Sequence, residues 1–235
     1  MDVFIKEYKQ IFKPLAIEHG FRIHRISFFR IRNDVLQFFL LRRHPVGGRS
    51  CTIQWGVLPL CMGLDRGSLM DGEEIGRLIS RIPWWGYEPR DPESIRRAIS
   101  ELAFVVKKSL LPLFDQAVDS ASAYQAECDY DVSAYGQVLM LSSSKICYAI
   151  KTGDYARAIE NLRALEAQNM DGHELKVASM TDVELREDYL RRFTEKLSRI
   201  RHQIDRLSIP DMDYINDFIT TNEEMSLRNL GVKKT

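Results

Sequence analysis

Residues 21–60, FRIHRISFFRIRNDVLQFFLLRRHPVGGRSCTIQWGVLPL, decide the fold, because they alone carry β-sheet signals while the flanks read as helix or connection. Residues 22–31 are rich in Ile, Phe and Arg, Asn33-Asp34 supplies a tight connection that tolerates positive φ, and residues 35–43 form a second β-prone run. His44-Pro45-Val46-Gly47-Gly48 then interrupts pairing, since proline lacks an N–H and glycine admits dihedrals that other residues avoid. In the third run Cys51, Ile53, Trp55 and Val57 alternate with Thr52, Gln54 and Gly56, which places the first set on one apolar face. The second run has Leu36, Phe38 and Leu40 on one face and Phe39 and Leu41 on the other. A sheet apolar on both sides must be covered on both, by helices or by a partner chain.

Working outward, Phe4, Tyr8, Ile11, Phe12 and Leu15 recur at helical spacing after Asp2, a suitable N-cap, and Gly20 is placed to end that helix. Pro14 falls inside it and predicts a kink or a second short helix. After the meander, Ile75, Leu78, Ile79 and Ile82 mark a short helix stopped by Pro83. Asp91-Pro92-Glu93 is a strong helix start, followed by Ile95, Ile99, Leu102, Val106 and Leu110 on one stripe, with Pro112 ending or bending the helix. Residues 137–169 read as a helical hairpin turned by Gly153-Asp154, its second helix packed through Ala158, Ile159, Leu162 and Leu165. Leu190, Phe193, Leu197, Ile200, Ile204 and Leu207 then alternate steps of three and four, a heptad-like seam closed by Pro210. That seam suits a bundle with the hairpin, or a dimer through the same helix. Ile215, Phe218, Ile219 and Leu227 predict a final helix. The expected fold class is therefore α+β: a helix and small antiparallel meander over residues 1–120, and a helical extension over 121–235.

Phe12-Lys13-Pro14-Leu15-Ala16, His19-Gly20-Phe21, Phe28-Phe29-Arg30, Asp34-Val35-Leu36-Gln37 and residues 51–57, CTIQWGV, carry a resemblance. Together they resemble a bacterial family known as a domain of unknown function, in which an N-terminal helix ending in Gly-Phe leads into an aromatic-rich meander and then helices. The likeness covers roughly the first half and implies a fold but no activity. Members often end the second strand in a polar Gln-x-Ser-like sequence, where this chain has Arg42-Arg43-His44.

With 235 residues, 45% of them hydrophobic and 28% charged, the chain can bury a substantial core. A formal net charge of zero argues against wholesale attraction to nucleic acid or membrane. MDVFIKEYKQ lacks the apolar core of a signal peptide, and no apolar run is long enough to span a bilayer. Cys51, Cys61, Cys128 and Cys147 follow no pairing pattern, and the expectation is reduced thiols in the cytoplasm.

Charge is unevenly distributed. Between Ser109 and Ser144 there are Asp115, Asp119, Glu127, Asp129 and Asp131 but no Lys or Arg, the best candidate for a boundary. Residues 20–50 are the opposite: Arg22, Arg25, Arg30, Arg32, Arg42, Arg43 and Arg49 face the single acid Asp34. Guanidinium forks bind carboxylates and phosphates bidentately, so Arg25, Arg30, Arg42, Arg43 and His44, with the aromatics Trp55, Trp84 and Trp85, are the candidate binding residues. The competing reading has them lining a solvated face, blunting strand edges or pairing with the acidic interval. Trp84, Trp85 and Tyr87 can likewise stack on a ligand or simply pin a loop to the core.

No catalytic, metal or cofactor residues are assigned. His24 and His44 with Cys51 or Cys61 match no compact zinc spacing, and His173 and His202 read as surface residues on helices. Ser142-Ser143-Ser144 lacks the G-x-S-x-G elbow, and Gly47-Gly48-Arg49-Ser50 lacks the phosphate-loop lysine. Adjacent pairs such as Glu73-Glu74 and Glu223-Glu224 point apart and do not share a proton. The expected function is a non-enzymatic interaction protein that binds an acidic protein partner. The alternatives are a hydrolase or nuclease-like enzyme at the basic sheet face, or an anion or nucleic-acid binding module.

Overall fold

The computed structural model describes residues 2–44, 48–64, 67, 73–79, 84–126 and 143–232. The chain forms two compact units, Met1–Gln137 with Asn222–Thr235, and Val138–Thr221. The fold is α+β, as the alternation and helical stripes of the sequence predict. Residues 127–142 of the acidic interval, with Glu127, Asp129 and Asp131, lie outside the described residues, as do residues 45–47 of the interrupting loop and both Ile82 and Pro83.

The first unit is built on an antiparallel sheet: β1 (Arg22–His24), β2 (Ser27–Arg32), β3 (Val35–Arg43) and β4 (Ser50–Pro59) in sequential order, with β5 (Glu73–Glu74) and β6 (Trp85–Gly86) on the far edge of β4. The expected first strand is two strands, because the chain reverses at Arg25-Ile26 so that His24 faces Ser27. Arg25 makes that reversal with φ of 57°, a left-handed conformation that glycine ordinarily supplies. Asn33 turns β2 into β3 with φ of 45°, in keeping with the tolerance of asparagine for this region.

β3 is apolar on both faces, as predicted. Phe39 and Leu41 join Cys51, Ile53 and Trp55 of β4 in the larger core, covered by helices α1 (Val3–Glu18) and α3 (Pro92–Val105). Phe4, Tyr8, Phe12 and Ala16 supply the buried stripe of α1, and Ile95, Ala98, Ile99 and Leu102 that of α3. Phe12, Phe28 and Phe39 pack with ring centroids 5.1–6.5 Å apart. Each such fully buried ring contributes roughly 2–3 kcal/mol through removal from water. Asp2 and Asp91 cap the two helices by accepting from the amides of Phe4 and Glu93. Pro14 stays inside α1, so the sixteen-residue helix continues past it. The α3 helix runs through a π-helical turn, Val106–Leu110, into α4 (Leu111–Gln116), whose first turn holds Pro112. Pro112 therefore does not end the helical run. The short helix α2 (Ile75–Leu78) follows β5.

The second face is covered by a remote segment. Leu36, Phe38, Leu40 and Phe29 pack with Leu60, Leu64 and Leu230, and with Leu227 and Val232 at the margin. Ser226 fixes this contact: its fully buried hydroxyl donates to the Leu60 carbonyl and accepts from the Leu64 amide, both at 2.6 Å. Asn229 Nδ2 donates to the Leu64 carbonyl. Gly56 lies under the Phe38 ring, where a Cβ would come within 2.5 Å of it.

The second unit holds α5 (Ser143–Lys151), α6 (Tyr155–Met170), α7 (His173–Ser179) and α8 (Val183–Ser208), with most of α9 (Met212–Asn229). The hairpin turns at Gly153 with φ of 78°, and Asp154 caps α6 by accepting from Arg157 N. Ala158 and Leu162 are buried on α6, and Leu197, Ile200 and Leu207 of the heptad-like seam are buried on α8. The ring of His173 lies flat on Phe193 with centroids 3.6 Å apart and hydrogen-bonds the Tyr189 hydroxyl through Nδ1.

Candidate functional site

Antiparallel register sorts the arginines between the two ends of the sheet. Ser27 faces Leu40 and Arg43 faces Cys51, so the Arg25 turn, the end of β3 and the start of β4 share one end. Arg22 faces Phe29 and Arg32 faces Val35, which places these toward the other end together with Arg30.

At the first end Arg25, Arg42 and Arg49 are exposed and make no ion pair among the described residues. The turn that presents Arg25 is anchored from below, where Tyr8 donates its hydroxyl hydrogen to the Ile26 carbonyl at 3.0 Å. Burial pushes the Tyr8 hydroxyl far above its ordinary pKa, so it stays a donor at any physiological pH. His44 and Trp84 meet beside this end, edge to face with centroids 4.9 Å apart, and both rings are half-buried. Arg43 is half-exposed and folds onto the start of α1: it donates to Asp2 and its guanidinium lies 4.1 Å from the centre of the Phe4 ring. Burial works to raise the Asp2 carboxyl, but the hydrogen bonds from Arg43 and the Phe4 amide outweigh it and hold the group below its usual range.

Arg30 is the largest departure from an outward-facing arginine. Its side chain is 4% exposed, and it donates from Nε to Gln37 Oε1 (2.6 Å), from Nη1 to the His19 carbonyl (2.7 Å) and from Nη2 to Asp115 (2.8 Å). Gln37, fully buried, in turn donates to the carbonyls of Phe114 and Ala117. Arg30 thus ties the end of α1, the sheet and α4 together, over the face of Phe21. Burial lowers its pKa, the Asp115 hydrogen bond acts in the opposite sense, and the charge of Arg32 lowers it further. This pairing with an acid of the 109–144 interval is the internal alternative weighed from the sequence. Its signal was Gln37, a polar residue within an apolar run, which had to find buried partners.

Trp55 and Trp85 are buried at 8% and 5% exposure in the helix-covered core, so their rings are unavailable to a surface ligand. Tyr87 is buried against Phe4 and held by its amide on the Arg49 carbonyl, which makes the aromatic cluster chiefly a pin for the loop. At this end of the sheet the exposed cations are therefore Arg25, Arg42 and Arg49, with the half-buried rings of His44 and Trp84 beside them.

A cleft of about 540 Å³ opens at the other end. It is lined by Glu18, His19 and Gly20 at the end of α1 and by Arg30, Ile31 and Arg32 of β2, with Asp115 on the Arg30 guanidinium. Among the described residues no group of three His, Cys, Asp or Glu side chains could hold a metal ion. Cys51, Cys61 and Cys147 are buried. Among the described residues no helix is long and apolar enough to cross a membrane. Comparison with family models, curated proteins and solved structures gave no match.

Proposed function

We propose that the protein is a non-enzymatic bacterial interaction protein of the cytoplasm, binding an acidic protein surface at the Arg25–Arg42–Arg49 end of its sheet. The observation that carries the reading is Arg25, an exposed arginine held in a left-handed turn with no ionic partner among the described residues. Strain of this kind is retained when the surrounding structure fixes it, and it concentrates at ligand-contacting positions. Tyr8 supplies the fixing contact. Arg42 and Arg49 add cations at the same end, and the half-buried Trp84 offers a flat apolar neighbour. Guanidinium groups suit the carboxylates of an acidic surface.

The test uses the full chain as bait in extracts of its native host, with the triple reversal Arg25→Glu, Arg42→Glu, Arg49→Glu as the control. Mass spectrometry identifies what is retained, and polyglutamate and a 20-base-pair DNA duplex are titrated alongside over a salt series. The reading expects acidic proteins on the wild type alone, with an unchanged circular dichroism spectrum for the reversal. Equal capture by both baits rejects the site. A steep salt slope on DNA with tighter binding than polyglutamate transfers the site to nucleic acid.

A further inference from the structure

The cleft at the opposite end of the sheet is a gap in strand pairing. β3 pairs with β2 along all of Ser27–Arg32, whereas β1 pairs only with Ser27, Phe28 and Phe29. Beyond Phe29 the lane beside β2 is not continued by β1, because the chain there leaves α1 through Gly20 and the Phe21 amide is engaged by the Ala16 carbonyl. The lane is the cleft of about 540 Å³.

Antiparallel alternation decides what the lane offers. His24 and Ser27 close a two-residue turn and Arg32 and Val35 close the next, so odd-numbered residues of β2 direct their N–H and C=O toward the β1 side. At Ile31 that side is the cleft, and its backbone groups have no backbone partner among the described residues. Arg30 and Arg32 flank Ile31 on the opposite pleat, one locked in place by three hydrogen bonds and the other exposed without an ion pair among the described residues. Glu18 lines the same cleft, and half-exposed Asp115 holds its carboxylate on the Arg30 guanidinium.

We propose that this lane is a recognition notch for an extended peptide, which adds a short strand against Ile31 and sets a carboxylate on Arg32. A strand edge supplies sequence-independent backbone bonds, and the charges beside it supply selection. Asp115 already occupies Arg30, which leaves Arg32 to receive the peptide carboxylate. Glu18 and Asp115 then favour a cationic or amide side chain one position along. The notch is independent of the basic end that binds the acidic partner.

The experiment pans the full chain with displayed heptapeptides carrying free C-termini and synthesises the enriched sequences. They are expected to bind the wild type, to weaken at least tenfold on Arg32→Ala, and to slow hydrogen exchange of the Ile31 amide at least tenfold. Ile31→Pro, which removes only the cleft-facing N–H from the backbone, weakens them as well. Amidating the peptide terminus tells a terminal carboxylate from an acidic side chain. Failure to enrich any sequence over an Arg32→Glu control overturns the proposal. So does binding that ignores Arg32→Ala or leaves the Ile31 amide exchanging freely.

Discussion

Replacing Arg25 by glycine separates folding from recognition at one residue. Holding an L-residue in the left-handed region costs roughly 1–2 kcal/mol, and Arg25 does so with φ of 57°. Glycine removes that strain but brings about 0.4–1 kcal/mol of extra unfolded-state entropy. The net expectation is a gain of about 0.5–1 kcal/mol, or a rise of about 1–4 °C in Tm for a chain of this size. No hydrogen bond or ion pair of the Arg25 side chain among the described residues offsets the gain. Partner binding moves the other way, weakening by about threefold to tenfold as a charge-assisted contact of on the order of 1 kcal/mol is lost. Arg25→Ala is the control, since it keeps the strain, deletes the guanidinium, and so loses binding without the thermal gain. Thermal unfolding by circular dichroism and titration of the captured partner read both quantities. An Arg25→Gly chain that melts lower than wild type refutes the argument, because the arginine would then be holding the turn together.

Ser226→Ala leaves the Leu60 carbonyl and Leu64 amide without their shared partner and should cost about 2–4 kcal/mol, read as a lower urea midpoint. Cys51, whose thiol burial pushes up to about 12 despite the nearby Arg43, should stay unreactive toward a disulfide reagent at pH 8 until the chain is unfolded. Hydrogen bonding from Arg96 holds the Glu7 carboxyl below its ordinary value, against burial. Its contribution is therefore complete above the usual glutamate pKa of about 4.3 and is lost as pH falls through the lower folded value. Glu7→Gln should flatten that acid limb in a series of urea midpoints, and an unchanged limb would remove Glu7 from the account.

Periodicity carried most of the architecture. The two-residue alternation of Cys51, Ile53, Trp55 and Val57 and the two-faced run of β3 were visible because side chains change face at every residue along a strand. The hairpin at Arg25-Ile26 was not, since neither residue is a turn former and the reversal depends on Tyr8, eighteen positions earlier than Ile26. Residues 222–232 could not be read as the cover of the second face either, because helical spacing reports that a stripe is apolar but not what it meets. At the site, the charge excess of residues 20–50 showed where the arginines cluster but not that Arg30 is buried and paired with Asp115 or that Arg43 pairs with Asp2. Composition alone does not tell an arginine that snorkels from one that is desolvated and fully hydrogen-bonded.

The first unit is discontinuous, and this orders events during synthesis. Its sheet emerges early from the ribosome, yet Phe38, Leu36 and Leu40 wait for Leu227 and Leu230, added more than 180 residues later. Until then a greasy surface is bare in the nascent chain, a natural landing place for chaperones and a reason for synthesis interrupted before residue 222 to yield aggregates.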